Sequence, residues 1–204
     1  MSGNTFDIDK FKEQIPYYLT VPQKEGLIKA LEDFPVNTNY YLSSYPEDLR
    51  NSVLQGDIFN ELTVYSIKGV RKAKGIILSN SCDVDVSNPR DTPMRAVFAP
   101  LVSLSKLVQL LHDKNLPQEA ITSKVNAIKN QLVTNMVYLP EIDGIEESVV
   151  FLDDVYQLPT KELQKLLESN CKTLTLSQVG FYILLFKISI HFCRFHEEVQ
   201  RYDH

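Results

Sequence analysis

An α+β fold, with a small β-rich core set among helices, follows from three features of the sequence. Short runs rich in β-branched and aromatic residues, broken by Gly, Asn, Asp and Pro, occupy the stretch from Gln55 to Pro100 and recur between Met136 and Leu158. Helical spacing fills the first fifty residues, the segment 102–132 and the tail beyond Thr160. A chain of 204 residues with 44% hydrophobic content is long enough to bury a substantial core.

Each element has its own local reason. Ile8, Phe11 and Ile15 recur at helical spacing up to Pro16. Pro22 suits the first turn of a second helix with the stripe Leu27, Ile28, Leu31 and Phe34, which Pro35 stops. A loop over Val36–Tyr45 and a short helix over Pro46–Leu54 follow. Strands are expected at Ile58–Phe59, Leu62–Ile67, Gly75–Ser79 and Arg95–Pro100, and Gly75-Ile76-Ile77-Leu78, apolar on both faces, reads as a central strand. Val102–Leu111 and Pro117–Leu132 read as two helices joined at Asn115-Leu116. Strands resume at Met136–Leu139, Ser148–Phe151 and Val155–Leu158, and Thr160 is an N-cap candidate for a helix to Glu168.

The last helix, about Leu176–Arg201, carries two apolar stripes. Leu176, Val179, Ile183, Phe186, Ile190 and Cys193 form one, and Phe181, Leu184, Ile188, Phe192 and Phe195 form the other. Two stripes need two covering surfaces. The expectation is a homodimer through Val179, Ile183, Phe186 and Ile190, with the N-terminal helices as the other possible cover. The domain reading is a helical segment over 1–54, a β-core over 55–165 with a helical insertion at 103–132, and a C-terminal helical segment over 166–204.

Composition narrows the function classes. With 21 Lys and Arg against 26 Asp and Glu, the net charge of −5 rules out a generically basic nucleic-acid coat but not a local basic patch. Three widely spaced cysteines, Cys82, Cys171 and Cys193, argue for a reducing compartment rather than a disulfide framework. The apolar tail is interrupted by Gln178, Lys187, His191 and Arg194, too often for a membrane span. With no targeting segment visible, a cytoplasmic protein is expected.

The stretch Leu54–Leu104 is the most informative: LQGDIF, then KGVRKAKGIILSNSCDVDV, then MRAVFAPLVSL, followed at Gly144–Leu163 by GIEESVVFLDDVYQLPTKEL. In this order the segments resemble the PemK/MazF-like toxin family. The resemblance implies a small SH3-like (PemK/MazF-like) β-barrel core that opens with the strand Gly56-Asp57-Ile58. A flexible loop at about Ser66–Lys72, a central strand Gly75–Asn80 and a strand Val97–Ser103 would follow, with helices added at the N-terminus, at 103–132 and at the C-terminus. It further implies a prokaryotic or phage conflict protein, of a toxin–antitoxin or defence system, that binds single-stranded RNA and cleaves it without a metal where the catalytic set is kept. The alternative is an inactive barrel serving as a protein–protein interaction module of such a system. The family begins its central strand with Arg-Pro, whereas this chain has Lys74-Gly75; the family's second catalytic group, a Thr or Ser, falls on Ser103.

The residues themselves allow that chemistry. Cleavage through the 2′-hydroxyl needs a base, a cation or donors for the phosphorane, and an acid for the leaving oxygen. Lys68, Arg71, Lys72 and Lys74 place four cations in seven residues, either to hold a phosphate backbone or to guard a hairpin edge in solvent. Lys74 and Arg71 would supply cations, Ser103 a donor, Asp83 or Asp85 the base, and Asn80 and Ser81 further donors. Ser, Asn and Asp here are equally turn formers, and Cys82 is either a nucleophile or an inert thiol. His191, Cys193 and His196 do not complete a recognised metal set, so neither metal nor cofactor is expected. Six acids between Glu141 and Asp154 form a solvated loop or a docking surface for a basic partner.

Overall fold

In the computed structural model, residues 20–32, 39–44, 46–67, 69–85, 87–88 and 91–192 are described. The fold is α+β. Helices α1 (Val21–Glu32) and α2 (Glu47–Arg50) precede a hairpin of β1 (Ile58–Ser66) and β2 (Gly69–Ile77), and the short α3 (Ser81–Val84) leads to β3 (Arg95–Ser103). Helices α4 (Leu104–Asp113) and α5 (Gln118–Lys129) come next, then β4 (Met136–Leu139), β5 (Ser148–Phe151), β6 (Tyr156–Pro159), α6 (Thr160–Glu168), β7 (Lys172–Leu174) and α7 (Gln178–Phe192).

The seven strands form one antiparallel sheet in the order β4-β5-β3-β2-β1-β7, with β6 also paired to β3. Among the described residues no ladder closes this sheet into a barrel. β3 carries β5 and β6 in series on a single edge, opposite β2. Phe98 pairs with Ile77 on one side and Tyr156 on the other, and Leu101 pairs with Val150. Two residues separate Phe98 from Leu101, while five separate Val150 from Tyr156. The turn Leu152–Val155 therefore bulges out of the edge and bends the sheet there.

Alternation divides the core between the two faces. Ile58, Ile76, Ala99, Val150 and Val137 pack on the first face against Tyr40, Tyr41 and α7. Phe59, Ile77, Phe98 and Ala96 pack on the second against Leu163 and Leu167 of α6. Met136, Tyr138 and Val149 continue that side beneath Leu104, Leu107 and Ile128 of α4 and α5.

The expected flexible loop at Ser66–Lys72 is instead the end of the hairpin, because β2 begins at Gly69 and pairs with β1 down to the turn. The helix start at Thr160 is present, although Pro159 takes the cap position and the Thr160 hydroxyl reaches the Met94 carbonyl. Ile8, Phe11 and Ile15 lie outside the described residues.

In α7, Ile183 and Leu184 have no solvent exposure, whereas Val179, Phe181, Phe186, Ile188 and Ile190 are partly buried. Ile183, expected at a dimer seam, belongs to the chain's own core: the sheet covers the Ile183 side of the helix. α1 also meets α7. Gly180 allows the close approach that seats the helix, since a Cβ there would stand 2.3 Å from the Tyr40 carbonyl oxygen. The Ser177 hydroxyl caps the helix by accepting the Gly180 N–H.

Two buried lysines hold the periphery to the sheet. Lys172 pairs with Asp57 at 2.7 Å and donates to the carbonyls of Leu49 (2.7 Å) and Ser52 (2.9 Å). Lys187, 2% exposed, donates to the carbonyls of Gln131 and Val133 just beyond α5. Burial pushes its ammonium down to about 8 from the ordinary 10.5.

Lys172→Met should lower stability by about 3–5 kcal/mol, because it strands the Asp57 charge in the interior. Adding Asp57→Asn should restore part of that loss in urea unfolding; a double-mutant effect equal to the sum of the singles would exclude coupling. Between pH 8 and 9.5 the unfolded chain holds a proton at Lys187 that the folded chain releases, so stability rises with pH. The gain should be about 1.5 kcal/mol and absent in Lys187→Met, measured by urea titration across that window.

Candidate binding site

The distal half of the β1–β2 hairpin projects as a two-stranded ribbon. β7 pairs only with Ile58 and Phe59 of β1, and β3 only with Gly75–Ile77 of β2. Beyond Phe59 the register shifts by one residue, with Glu61 at φ 62°, and this bulge adds twist. Leu62 and Val64 turn in to the core at 0% and 1% exposure, while Tyr65 and Val70, opposite one another, stay about two-thirds exposed. The twist brings β1 beside β6, with no ladder between them.

Where β1 and β6 approach, a cleft of about 430 Å³ opens, with α6 along its side. Thr63, Tyr65 and Lys72 line it from the ribbon, Arg95 and Gln157 from β3 and β6, and Lys165 from α6. Lys72 donates to the Glu61 carbonyl (3.0 Å) and the Thr63 hydroxyl (2.9 Å), and Arg95 donates to the Gln157 side-chain oxygen (2.9 Å). Glu162, the acidic residue of the lining, is paired with Lys165 at 2.7 Å. Lys72 and Arg95 thus leave the cleft with an excess of positive charge.

Of the sequence-selected residues, only Lys72 lines this cleft. Lys68 lies outside the described residues. Arg71 alternates to the other face of the ribbon, opposite Val64, where it opposes the rise that the Asp154 hydrogen bond imposes on the Tyr156 phenol. Lys74 turns away to donate to the Gly144 carbonyl on the loop between β4 and β5. Ser103, 5% exposed, ends β3 with its hydroxyl 2.6 Å from that of Ser105.

Asn80, Ser81, Asp83 and Asp85 cluster at the far end of β2, and most of their polar groups shape the backbone. Asn80 caps α3 by accepting the Cys82 N–H (2.9 Å), and the Ser81 hydroxyl accepts the Gln55 N–H (2.9 Å). Asp85 accepts the Ser87 N–H (2.8 Å), which holds its carboxyl below the usual range and makes it a weaker base. Asp83 is exposed in the first turn of α3, and Cys82 beside it is a free, exposed thiol. The proposed base, cations and donor therefore sit on three separate parts of the sheet.

Sequence reasoning passed over Arg95, Gln157 and Lys165; Arg95 lies some sixty residues before the other two, and the pairing of β3 with β6 and the return of α6 bring them together. It also passed over the cluster that Glu147 of the acidic stretch forms with Lys129 and Tyr138. Burial opposes ionisation of Glu147, but hydrogen bonds from Lys129 and Tyr138 outweigh it and hold the carboxyl below its usual range. Among the described residues no group of His, Cys, Asp and Glu could hold a metal ion, and no helix is long and apolar enough to cross a membrane. His191 packs edge-on against Phe192, while Cys193 and His196 lie outside the described residues. No protein-family model matches the chain, and a search of curated proteins returns no match.

Proposed function

We propose that this chain is a PemK/MazF-like binding module of a prokaryotic or phage conflict system, acting in the cytoplasm without a cofactor and without cutting RNA. The observation that carries this reading is the contrast between two sites. The cleft between β1 and β6 is open and positively charged, whereas Ser103 is buried against Ser105 and Lys74 is held by Gly144. An SH3-like barrel is supported by the curl of β1, β2, β3 and β6 around the core of Phe59, Leu62 and Phe98, left open along the cleft.

Single-stranded RNA is favoured as a ligand by one specific arrangement: the exposed Tyr65 ring stands with Lys72 and Arg95 in the same lining, an aromatic surface for a base beside cations for its phosphates. A protein of the same system is favoured by the unpaired strand edges that flank the cleft.

The protein incubated with RNA in the absence of metal should leave it intact. RNA cleavage that disappears in Ser103→Ala would overturn the module reading. Where RNA binds, Lys72→Ala with Arg95→Ala should reduce the salt dependence of log K by about 1.4, at roughly 0.7 per phosphate contact.

A further inference from the structure

We infer that the cleft receives an extended, acidic segment of a partner protein, which adds as a strand to the outer edge of β1. This deepens the binding-module reading and rests on it. The direction of each backbone group follows from the hydrogen bonds of β2. Ile77 donates its N–H to the Asp57 carbonyl on the β1 side, and Leu78 donates to the Val97 carbonyl on the β3 side. Strand alternation then gives the odd-numbered residues of β2 to β1. Their partners Leu62, Val64 and Ser66 are engaged, so Thr63 and Tyr65 direct their N–H and C=O groups away from β2, into the cleft.

The facing edge has the same property. Val97 accepts from Leu78 and Ser79 and donates to the Ser79 hydroxyl, all on the β2 side. Its pair with Gln157 is therefore a non-bonded one, and Gln157 points its backbone groups away from β3. The residues that present backbone to the cleft, Thr63, Tyr65 and Gln157, are among those whose side chains line it. An edge of unpaired amides and carbonyls recognises another extended backbone.

Charge selects among such backbones. Among the described residues Lys72 and Arg95 bond neutral oxygens only, and Glu162 is already met by Lys165. An added strand with carboxylates on alternate positions would place them toward Lys72 and Arg95, whereas a basic strand would be repelled.

The test uses the full chain and a fluorescent synthetic peptide of alternating Glu and Val, beside the same peptide with alternate amides N-methylated. N-methylation keeps every charge and side chain but removes the hydrogen bonds of one strand edge. The unmodified peptide should bind at least about tenfold more tightly than the methylated one, the loss expected for two or three backbone hydrogen bonds. Thr63→Pro, which removes an N–H that the β1–β2 ladder does not use, should weaken the unmodified peptide by a similar factor, and Lys72→Ala with Arg95→Ala should weaken both peptides. If Thr63→Pro does not fold, the comparison of peptides on the wild type carries the test. Equal binding of the two peptides, or no binding at about 1 mM, overturns the inference. So does oligouridine binding that the peptide cannot displace, or a wild-type dimer that Thr63→Pro splits, which would assign the edge to RNA or to a second copy. None of these outcomes depends on RNA cleavage, whose appearance would overturn the module reading itself.

Discussion

A carboxylate without solvent exposure needs hydrogen bonds on both oxygens, and Asp57 draws them from separate parts of the chain. One oxygen accepts the Leu54 N–H (2.7 Å) and meets the Lys172 ammonium; the other accepts the Thr175 hydroxyl (2.6 Å). Burial pushes the carboxyl up, and the Lys172 ammonium, the Thr175 hydroxyl and the Leu54 amide pull it back toward ionisation. Because Lys172 also holds Leu49 and Ser52, this group fixes the entry to β1, the segment after α2 and the β7 edge relative to each other. Gly56, at φ 90° with Leu176 packed above it, supplies the turn that aims Asp57 inward. The Gly-Asp-Ile run thus has a sufficient structural reason in this chain: it seats a sheet on a buried charge.

The sheet was legible because burial on two faces leaves a pattern. Ile76 and Ile77 are adjacent, and each meets a different core, which is what an apolar pair inside a central strand signifies. The helices α4 and α5 were legible for the complementary reason: Leu104, Leu107 and Leu111 repeat at three and four. What stayed hidden is held by polar groups. β7 is three residues long and joins β1 beside Lys172, a residue type that reads as surface. Lys187 breaks the apolar run of α7 in sequence and is buried in the fold, its ammonium on the carbonyls that follow α5. A lysine that completes the hydrogen bonding of a chain reversal has no signature distinct from one in water.

The site illustrates a different limit. Four cations in seven residues read as one patch, yet on a strand neighbours face opposite ways. Arg71 follows Val64 to one face, and Lys72 joins Thr63 on the other. Proximity in sequence therefore overcounted the charge available to any one ligand. Arg95, which restores part of it, comes from β3. Loop residues are ambiguous for a related reason: Asn80, Ser81 and Asp85 bear groups suited to catalysis, and the same groups close turns.

An open strand edge beside a core is an aggregation hazard unless something makes it selective. Here the two edges of the cleft do not pair with one another, because the Glu61 bulge and the Leu152–Val155 turn set the twist that leaves β1 and β6 side by side without a ladder. Lys72 and Arg95 then act twice. A second copy approaching edge to edge would bring the same cations against themselves, so the charges that favour an acidic strand also disfavour the chain's own edge. Pro159 at the end of β6 removes one further donor from the exposed side. Protection of an edge and recognition through it are therefore not competing accounts of these residues. The same placement of charge does both, and it requires only that the strand admitted be acidic.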